Sequence, residues 1–423
     1  MPKNLPDAVI APDRTPAVVR GGLAVAPLLG PAMVAGVAYL DPGNVAANMT
    51  AGAAFGYLLV WVVVTGNVMA WLIQFLSAKL GIVTGLSLPE ALGRRFRSRT
   101  ARYGYWVQAE AVAMATDIAE VLGGAIALYL LFDLPLIVGG IITGVVSMLL
   151  LVVQSRRGAK PFERIITGLM LIIAIGFCAG LVIGPPDAGQ SLRGLVPAFD
   201  GTESVLLAAS ILGATVMPHA IYAHSALTRD RFGLVAAGVE RRLVLRATKV
   251  DVTVALAIAG TVNVVILLLA AANLQGVEGT ESLEGAHAAL GVALGEPVAL
   301  LFAIGLLASG LASTSVGAYA GAEIMRGLLR VDIPLVVRRS VTLVPALLLL
   351  VIGVDPTLAL VLSQVVLSFG IPFALIPLVR LTADRALMGT AVNARITTVL
   401  AIVAAGLLIV LNVALLVLIA TGM

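Results

Sequence analysis

The chain is short of charge, of cysteine and of histidine, and each shortage excludes something. Only 12% of its 423 residues are charged, about half the share of an ordinary soluble domain. A water-facing globular surface of this size would lack the ions to cover it. The sole cysteine, Cys178, rules out an intramolecular disulfide and reads as core filling. The three histidines include no pair at i, i+4 around a glutamate, which excludes the helix-borne zinc-protease signature. No serine-nucleophile motif is recognisable. Linkers, low-complexity tracts and appended soluble segments are missing too, so all function must lie in one apolar body. Residues 1–20 are polar and lack the basic-then-apolar order of a cleaved signal; they read as a cytosolic tail.

What the chain has in abundance is apolar sequence, at 60% of its residues. Segments long enough to cross a hydrocarbon core of about 30 Å, which takes about 20 helical residues, recur along its length. The pattern predicts eleven membrane helices, over 22–52, 55–80, 103–131, 135–154, 162–184, 204–227, 247–272, 297–322, 335–353, 357–379 and 394–421. With the N-terminus in the cytoplasm, the inward loops collect the runs at Arg94–Arg102, Arg156–Lys160 and Arg229–Lys249. All but one of the 27 basic residues then fall inside, Arg193 being the exception. That satisfies the positive-inside rule and puts the C-terminus outside. Asp187, Asp200, Glu203, Glu278, Glu281 and Glu284 fall in outward loops, as a mild cation attractor or as plain solvated loops. The net charge of +4 reflects this topology and gives no support to nucleic-acid binding.

Two predicted spans are interrupted in corresponding places. The first is broken by DPGN at 41–44 and the sixth by GATVMPHA at 213–220. Discontinuous helices in matching positions of two halves point to an inverted-repeat transporter with its site at the midplane. Kinks alone would not carry this, since membrane helices tolerate proline. The chemistry at the breaks adds weight. Pro42 and Pro218 have no N–H, so the carbonyls of Ala38 and Ala214 lose their helical donors. Beside them stand Asp41, Asn44 and Met217, offering a carboxylate, an amide oxygen and a thioether. A carboxylate in a span with no basic residue at its depth is a functional-site candidate, and a bound cation would compensate it. Hard ions prefer all-oxygen shells, whereas a thioether favours softer metals. Met217 therefore suggests Mn²⁺ or Fe²⁺, with Co²⁺, Ni²⁺, Zn²⁺ and Cd²⁺ as passengers; the alternative is core filling.

A second constellation concerns protons. Glu110, Asp117 and Glu120 in the third span are seven and three residues apart, which places them on one helical face within an arc of about 80°. Carboxylates lined up toward a site suit proton release, and a buried ion-pair cluster that only fixes packing is the alternative. His219 directly follows the second break and suits proton movement or site polarity better than metal ligation. His224 is balanced between such a role and hydrogen-bonded packing. His287 is expected in a solvated outer loop.

DPGN in the first span and MPH in the sixth resemble the two signature motifs of the Nramp family, the natural-resistance-associated macrophage proteins, which include bacterial proton-coupled manganese transporters. GNVMAWLIQ at 66–74, ATDIAEVLGGAIAL at 115–128, MPHAIYAHSAL at 217–227, GLLASGLAST at 305–314 and LSQVVLSFGIPFALIPL at 362–378 extend the likeness over nearly the whole chain. The resemblance implies an all-α LeuT-like fold. In it, helices 1–5 (21–184) and 6–10 (204–379) form inverted repeats, helix 11 (394–421) is additional, and helices 1 and 6 are unwound at the midplane. It implies import of divalent metal with H⁺ across the cytoplasmic membrane, the metal being cargo and no resident cofactor being required. Its ligand set carries over onto Asp41, Asn44, Met217 and the carbonyl of Ala214, and it sets Arg338 and Arg339 against the acids of the third span. Two positions depart from several relatives: Gly370 stands in the tenth span where they carry Gln, and Ala220 follows MPH where they carry Asn. Magnesium carriers among the relatives lack the motif methionine, which this chain keeps.

Proton and metal competing for Asp41 would couple their movements during alternating access. The rivals are a LeuT-like amino-acid symporter, whose substrate carboxylate Asp41 would repel, a Mg²⁺-type carrier, a membrane enzyme and a divalent-cation channel. Amino-acid displacement, hydrolysis by purified protein and turnover beyond a carrier's would respectively favour the first, third and fourth.

Overall fold

The computed structural model describes residues 28–421 except 158, 281 and 332, and its described residues form helices and loops with no strand. The expected cytosolic tail, the start of the first predicted span and Glu281 lie outside the described residues. The broken first span is α1 (Pro31–Val37), a 3₁₀ turn (Ala38–Leu40) and α2 (Pro42–Phe55). There follow α3 (Val60–Thr84), the short α4 (Leu88–Arg95), α5 (Arg99–Phe132), α6 (Leu136–Arg157), α7 (Ala159–Ile183) and α8 (Ala188–Arg193). The second half runs through α9 (Gly201–Thr215), α10 (Pro218–Phe232), α11 (Val239–Asn273), α12 (Leu283–Leu294) and α13 (Glu296–Ile324). It closes with α14 (Leu335–Ile352), α15 (Pro356–Thr382), α16 (Arg385–Met388) and α17 (Arg395–Thr421).

Nine stretches among the described residues are long and apolar enough to cross a membrane, α9 and α10 counting as one. The two other predicted spans are the first and the ninth. The first is cut into pieces shorter than a bilayer, and the ninth is α14, an apolar helix that carries Arg338 and Arg339 in its first turns.

Proline explains where the breaks fall, because it starts a helix well and continues one badly. Pro31, Pro42 and Pro218 each occupy the first turn of their helix. Asp251 of α11 accepts the N–H groups of Gly30 and Ala32 at 3.0 and 2.9 Å, so the donors at the start of α1 are met inside the protein. Without that carboxylate the end of α1 would be costly to bury.

The halves interlock around the breaks. α2 packs on α9 and α11, α1 on α10 and α11, and α15 on α9, α2 and α5. At the other end of α10, Arg229 pairs with Glu90 of α4 at 2.7 Å and Glu323 of α13 at 2.9 Å, while Tyr319 donates to Asp230 at 2.6 Å. Burial pushes the Glu90 carboxyl up, but Arg229 and Ser87 outweigh it and hold the group below its ordinary range.

Close approach of α15 to α9 depends on a glycine. A Cβ on Gly213 would stand 1.9 Å from the backbone carbonyl oxygen of Gln364, so no side chain fits. Gly168 of α7 has open space in the same position. Gly213→Ala should therefore lower stability by about 1–3 kcal/mol, the range for overpacking, and Gly168→Ala should not. Thermal unfolding of the two purified variants checks this; equal midpoints would mean that α9 and α15 separate freely.

Candidate metal site

DPGN has a structural use besides any chemistry. Asp41 is the N-cap of α2: its backbone is extended (φ −67, ψ 160), and its Oδ1 accepts the Asn44 N–H at 2.8 Å. Its other oxygen, Oδ2, accepts from Gln364 Nε2 of α15 at 3.1 Å. The carboxylate thus has hydrogen-bond donors but, among the described residues, no basic partner. The sequence reading took Asp41 for a lone charge at a break and missed the cap, although Asp before Pro at a helix start is a common capping pattern.

The expectation of free carbonyls needs correcting at the first break. Ala38 O accepts the Asp41 N–H at 3.3 Å through the 3₁₀ turn. Tyr39 O accepts from the side-chain amides of Asn44 and of Asn263, the latter at 3.0 Å, and Leu40 O accepts the Ser309 hydroxyl. Side chains from three helices have replaced the missing helical donors. The second break is different. Among the described residues Ala214 O meets no donor, and Met217, at the N-cap of α10, makes no capping bond. A thioether is a weak acceptor, so capping gives no reason for methionine there. Met217 and Ala214 are fully buried.

Gln364 joins the two breaks, and the sequence reading overlooked it. Its side-chain amide meets Asp41 and lies where a Cβ on Gly43 would be, while its backbone carbonyl abuts Gly213 of α9. Gly370, singled out as the place of a missing glutamine, faces α5 and the start of α10: a Cβ there would meet Val112 and Pro218. Six residues at 100° per residue put the two positions about 120° apart around α15. The tenth span therefore does present a glutamine to the site, from a different register. The sequence shows only a polar amide in an apolar span, which does not tell where the amide faces; the structure buries it fully.

Around the first break, three amide oxygens are buried without a donor: Asn48 Oδ1, Asn263 Oδ1 and Gln364 Oε1. Buried acceptors normally have partners. Together with the Ala214 carbonyl they make a neighbourhood rich in lone pairs and holding a single carboxylate at Asp41, which suits a cation or its water. No group of three His, Cys, Asp or Glu able to hold a metal exists among the described residues. Any metal here must use Asp41 with neutral donors.

The acid row is present as expected. Arg338 Nη2 donates to Glu110 at 2.7 Å. Arg339, fully buried, donates to Asp117 at 2.7 Å, Thr314 at 2.8 Å and Ser147 at 3.0 Å. Glu120 is fully buried and neither carboxylate oxygen has a hydrogen bond among the described residues; Gly317 makes room for it. His219 Nδ1 lies 3.1 Å from the hydroxyl of Thr116, one residue before Asp117. The second break and the acid row are thus two residues apart by hydrogen bond and chain. His224 Nδ1 meets Gln74 Oε1 at 2.7 Å, and Gln74 donates to the Tyr39 hydroxyl, a hydrogen-bonded tie across α10, α3 and the 3₁₀ turn. His287 is not in a solvated loop but half-buried on α12, its ring 6.3 Å from that of Phe302.

These features can now be set beside known proteins. The family model for natural resistance-associated macrophage protein-like chains matches residues 32–418. The chain belongs to the Nramp family. It is 61% identical over 395 residues to a protein of Mycobacterium tuberculosis named divalent metal cation transporter MntH, covering 93% of this chain and 92% of that one. It is 47% identical over 402 residues to the divalent metal cation transporter MntH of Bacillus subtilis, covering 94% of each. The fold matches a crystal structure of the Eremococcus coleocola manganese transporter with TM-score 0.82 at 32% identity, covering 94% of this chain and 86% of that one. A nucleobase-cation-symport-1 family transporter, Mhp1, shares the fold alone, at TM-score 0.61 and 16% identity over 92% of this chain and 91% of that one. The Nramp chain, all-helical among its described residues, therefore has a LeuT-type transporter fold, as the family resemblance implied.

If Met217 contributes its thioether to a cation in this site, its loss alters preference more than affinity. Met217→Ala should leave Mn²⁺ transport moderately weaker, because water can take the vacated place, and should let Ca²⁺ compete better, because an all-oxygen shell suits it. The measurement is inhibition of Mn²⁺ uptake by Ca²⁺ in parent and variant; an unchanged ratio would return Met217 to core filling.

Proposed function

We propose that this Nramp chain carries Mn²⁺, with Fe²⁺, Co²⁺, Zn²⁺ and Cd²⁺ as further cargo, into the cell together with protons by alternating access. In this reading eleven spans cross the cytoplasmic membrane, with the N-terminus inside and the C-terminus outside, and two inverted five-helix repeats meet at the site. Divalent metal transport follows the family and the names of its relatives. The observation that carries the rest is the position of Asp41, a buried carboxylate at the joint of a broken helix, surrounded by neutral donors and served by no basic residue.

Asp41, Asn44, Met217 and the Ala214 carbonyl act as ligands, with Gln364 beside them. A metal arriving at a protonated Asp41 displaces its proton, because both need the same lone pairs. His219 and the row of Asp117, Glu120 and Glu110 give that proton a route away from the metal, with Arg338 and Arg339 setting its electrostatics. A divalent ion moving inward across an inside-negative membrane gains about 4.6 kcal/mol per 100 mV, twice the single-charge value, so inward flux is favoured even with loose coupling.

The test is uptake by proteoliposomes supplied with Mn²⁺, Mg²⁺ or Ca²⁺, with internal pH followed in parallel. Mn²⁺ uptake with internal acidification is expected, and Mg²⁺ uptake without Mn²⁺ uptake would favour the magnesium-carrier reading. Asp41→Asn keeps an N-cap oxygen and should abolish uptake in a folded protein. Asp41→Ala should abolish it as well and also cost about 1 kcal/mol of stability through the lost cap. Near-normal uptake by either variant would sink the site.

Proton movement is tested separately. Asp117→Asn and Glu120→Gln should reduce Mn²⁺-stimulated acidification more than they reduce Mn²⁺ binding, since neither residue is in the ligand set. Equal loss of both in a folded variant would move these carboxylates into the metal site.

A further inference from the structure

Asn44 is the one proposed ligand whose donor atom depends on which way a carboxamide faces. An amide turned by 180° offers N–H groups where the oxygen was, and N–H groups repel a cation. Both ends of this amide are held. Asn44 Nδ2 donates to the Tyr39 carbonyl, and Asn44 Oδ1 accepts from Asn48 Nδ2 at 2.7 Å, one helical turn further along α2. All three residues are almost completely buried, so water does not compete for these bonds. The Asn48 hydrogen bond uses one lone pair of Asn44 Oδ1 and leaves the other for a ligand.

We propose that Asn48 is a positioning residue for the metal site, fixing the Asn44 carboxamide with its oxygen available to the cation. The inference rests on the reading of Asp41 and Asn44 as metal ligands. The Tyr39 carbonyl selects the Nδ2 end of Asn44, and Asn48 selects the Oδ1 end. Either alone leaves the amide free to swing; together they define it. The pair is more than an i, i+4 contact that steadies α2, because Asn48 Oδ1 is itself buried without a donor. A contact made only for stability would not leave an amide oxygen stranded in an apolar span, where an apolar side chain serves better. Groups that orient a metal ligand without touching the metal typically change affinity by about ten- to a hundredfold when removed.

The experiment compares Mn²⁺ and Cd²⁺ affinities of the purified full chain by calorimetry in parent, Asn48→Leu, Asn44→Ala and Asp41→Asn. Asn48→Leu keeps the volume and removes the donor. It should weaken Mn²⁺ by about tenfold or more and Cd²⁺ by distinctly less, since Cd²⁺ draws more on the Met217 sulfur. Asn44→Ala should shift the ratio of the two affinities in the same direction. Should Asn48→Leu fail to fold, Asn48→Ala takes its place with the same expectation. Affinities within twofold of the parent, or equal weakening of both metals, would overturn the role of Asn48 and leave only helix packing. Failure of the metal site looks different: Asp41→Asn would then bind Mn²⁺ as the parent does. Asn44→Ala with parental affinities would remove the ligand that Asn48 is said to orient, and the inference with it.

Discussion

Everything about the site depends on one contact between helices, the side chain of Gln364 lodged between the two breaks. Gly43 leaves the space its side chain fills, Gly213 admits its backbone carbonyl, and its amide supplies Asp41 with a donor from a separate helix. Because α15 also packs on α5, the contact ties the breaks to the helix that carries Glu110, Asp117 and Glu120. A carboxylate in an apolar interior is tolerated only when its surroundings are over-determined in this way. The glycines are accordingly part of the site, though neither has a group that reacts.

The two breaks solve the same backbone problem in opposite ways. At the first, the orphaned carbonyls of Ala38, Tyr39 and Leu40 all acquire donors, from the 3₁₀ turn, Asn44, Asn263 and Ser309. That backbone is finished without a ligand. At the second, the Ala214 carbonyl has no donor and Met217 caps nothing. The first break therefore supplies a fixed charge on a completed frame, and the second supplies unsatisfied lone pairs. A cation, as proposed, would answer both.

Much of this was readable in the sequence, and what was missed shares one cause. The breaks were legible because proline has a single consequence for a helix wherever it stands. The acid row was legible because helical period alone puts Glu110, Asp117 and Glu120 on one face, and the arginines opposite are ones that the family resemblance had named. Gln364, Asn48, Asn263 and Gln74 were not found, since an uncharged amide in an apolar run gives no local sign of whether it faces lipid, a neighbour or a site. Only their partners reveal them, and those lie up to 323 residues away. Attention to the missing side chain at Gly370 likewise passed over Gln364, six residues earlier on the same helix. Asp41 was read for its charge and not for its place before Pro42, where its cap was visible.

The composition of the site also separates a carrier from a metal store. A divalent ion on one carboxylate keeps a net positive charge in a medium of low dielectric constant, which is unfavourable unless polar atoms surround it. A resident metal is usually neutralised by more carboxylates or held by histidines and thiolates, and such a group is missing among the described residues. In the proposed site, neutral oxygens and a thioether would supply enough to admit the ion and too little to keep it. The nearest further carboxylate row, beyond His219 and Thr116, is already engaged by Arg338 and Arg339 except at Glu120. In the proposed mechanism the metal would thereby be confined to a site it can leave, and Glu120, the one acid of the row without an arginine hydrogen bond, would be the member open to a proton.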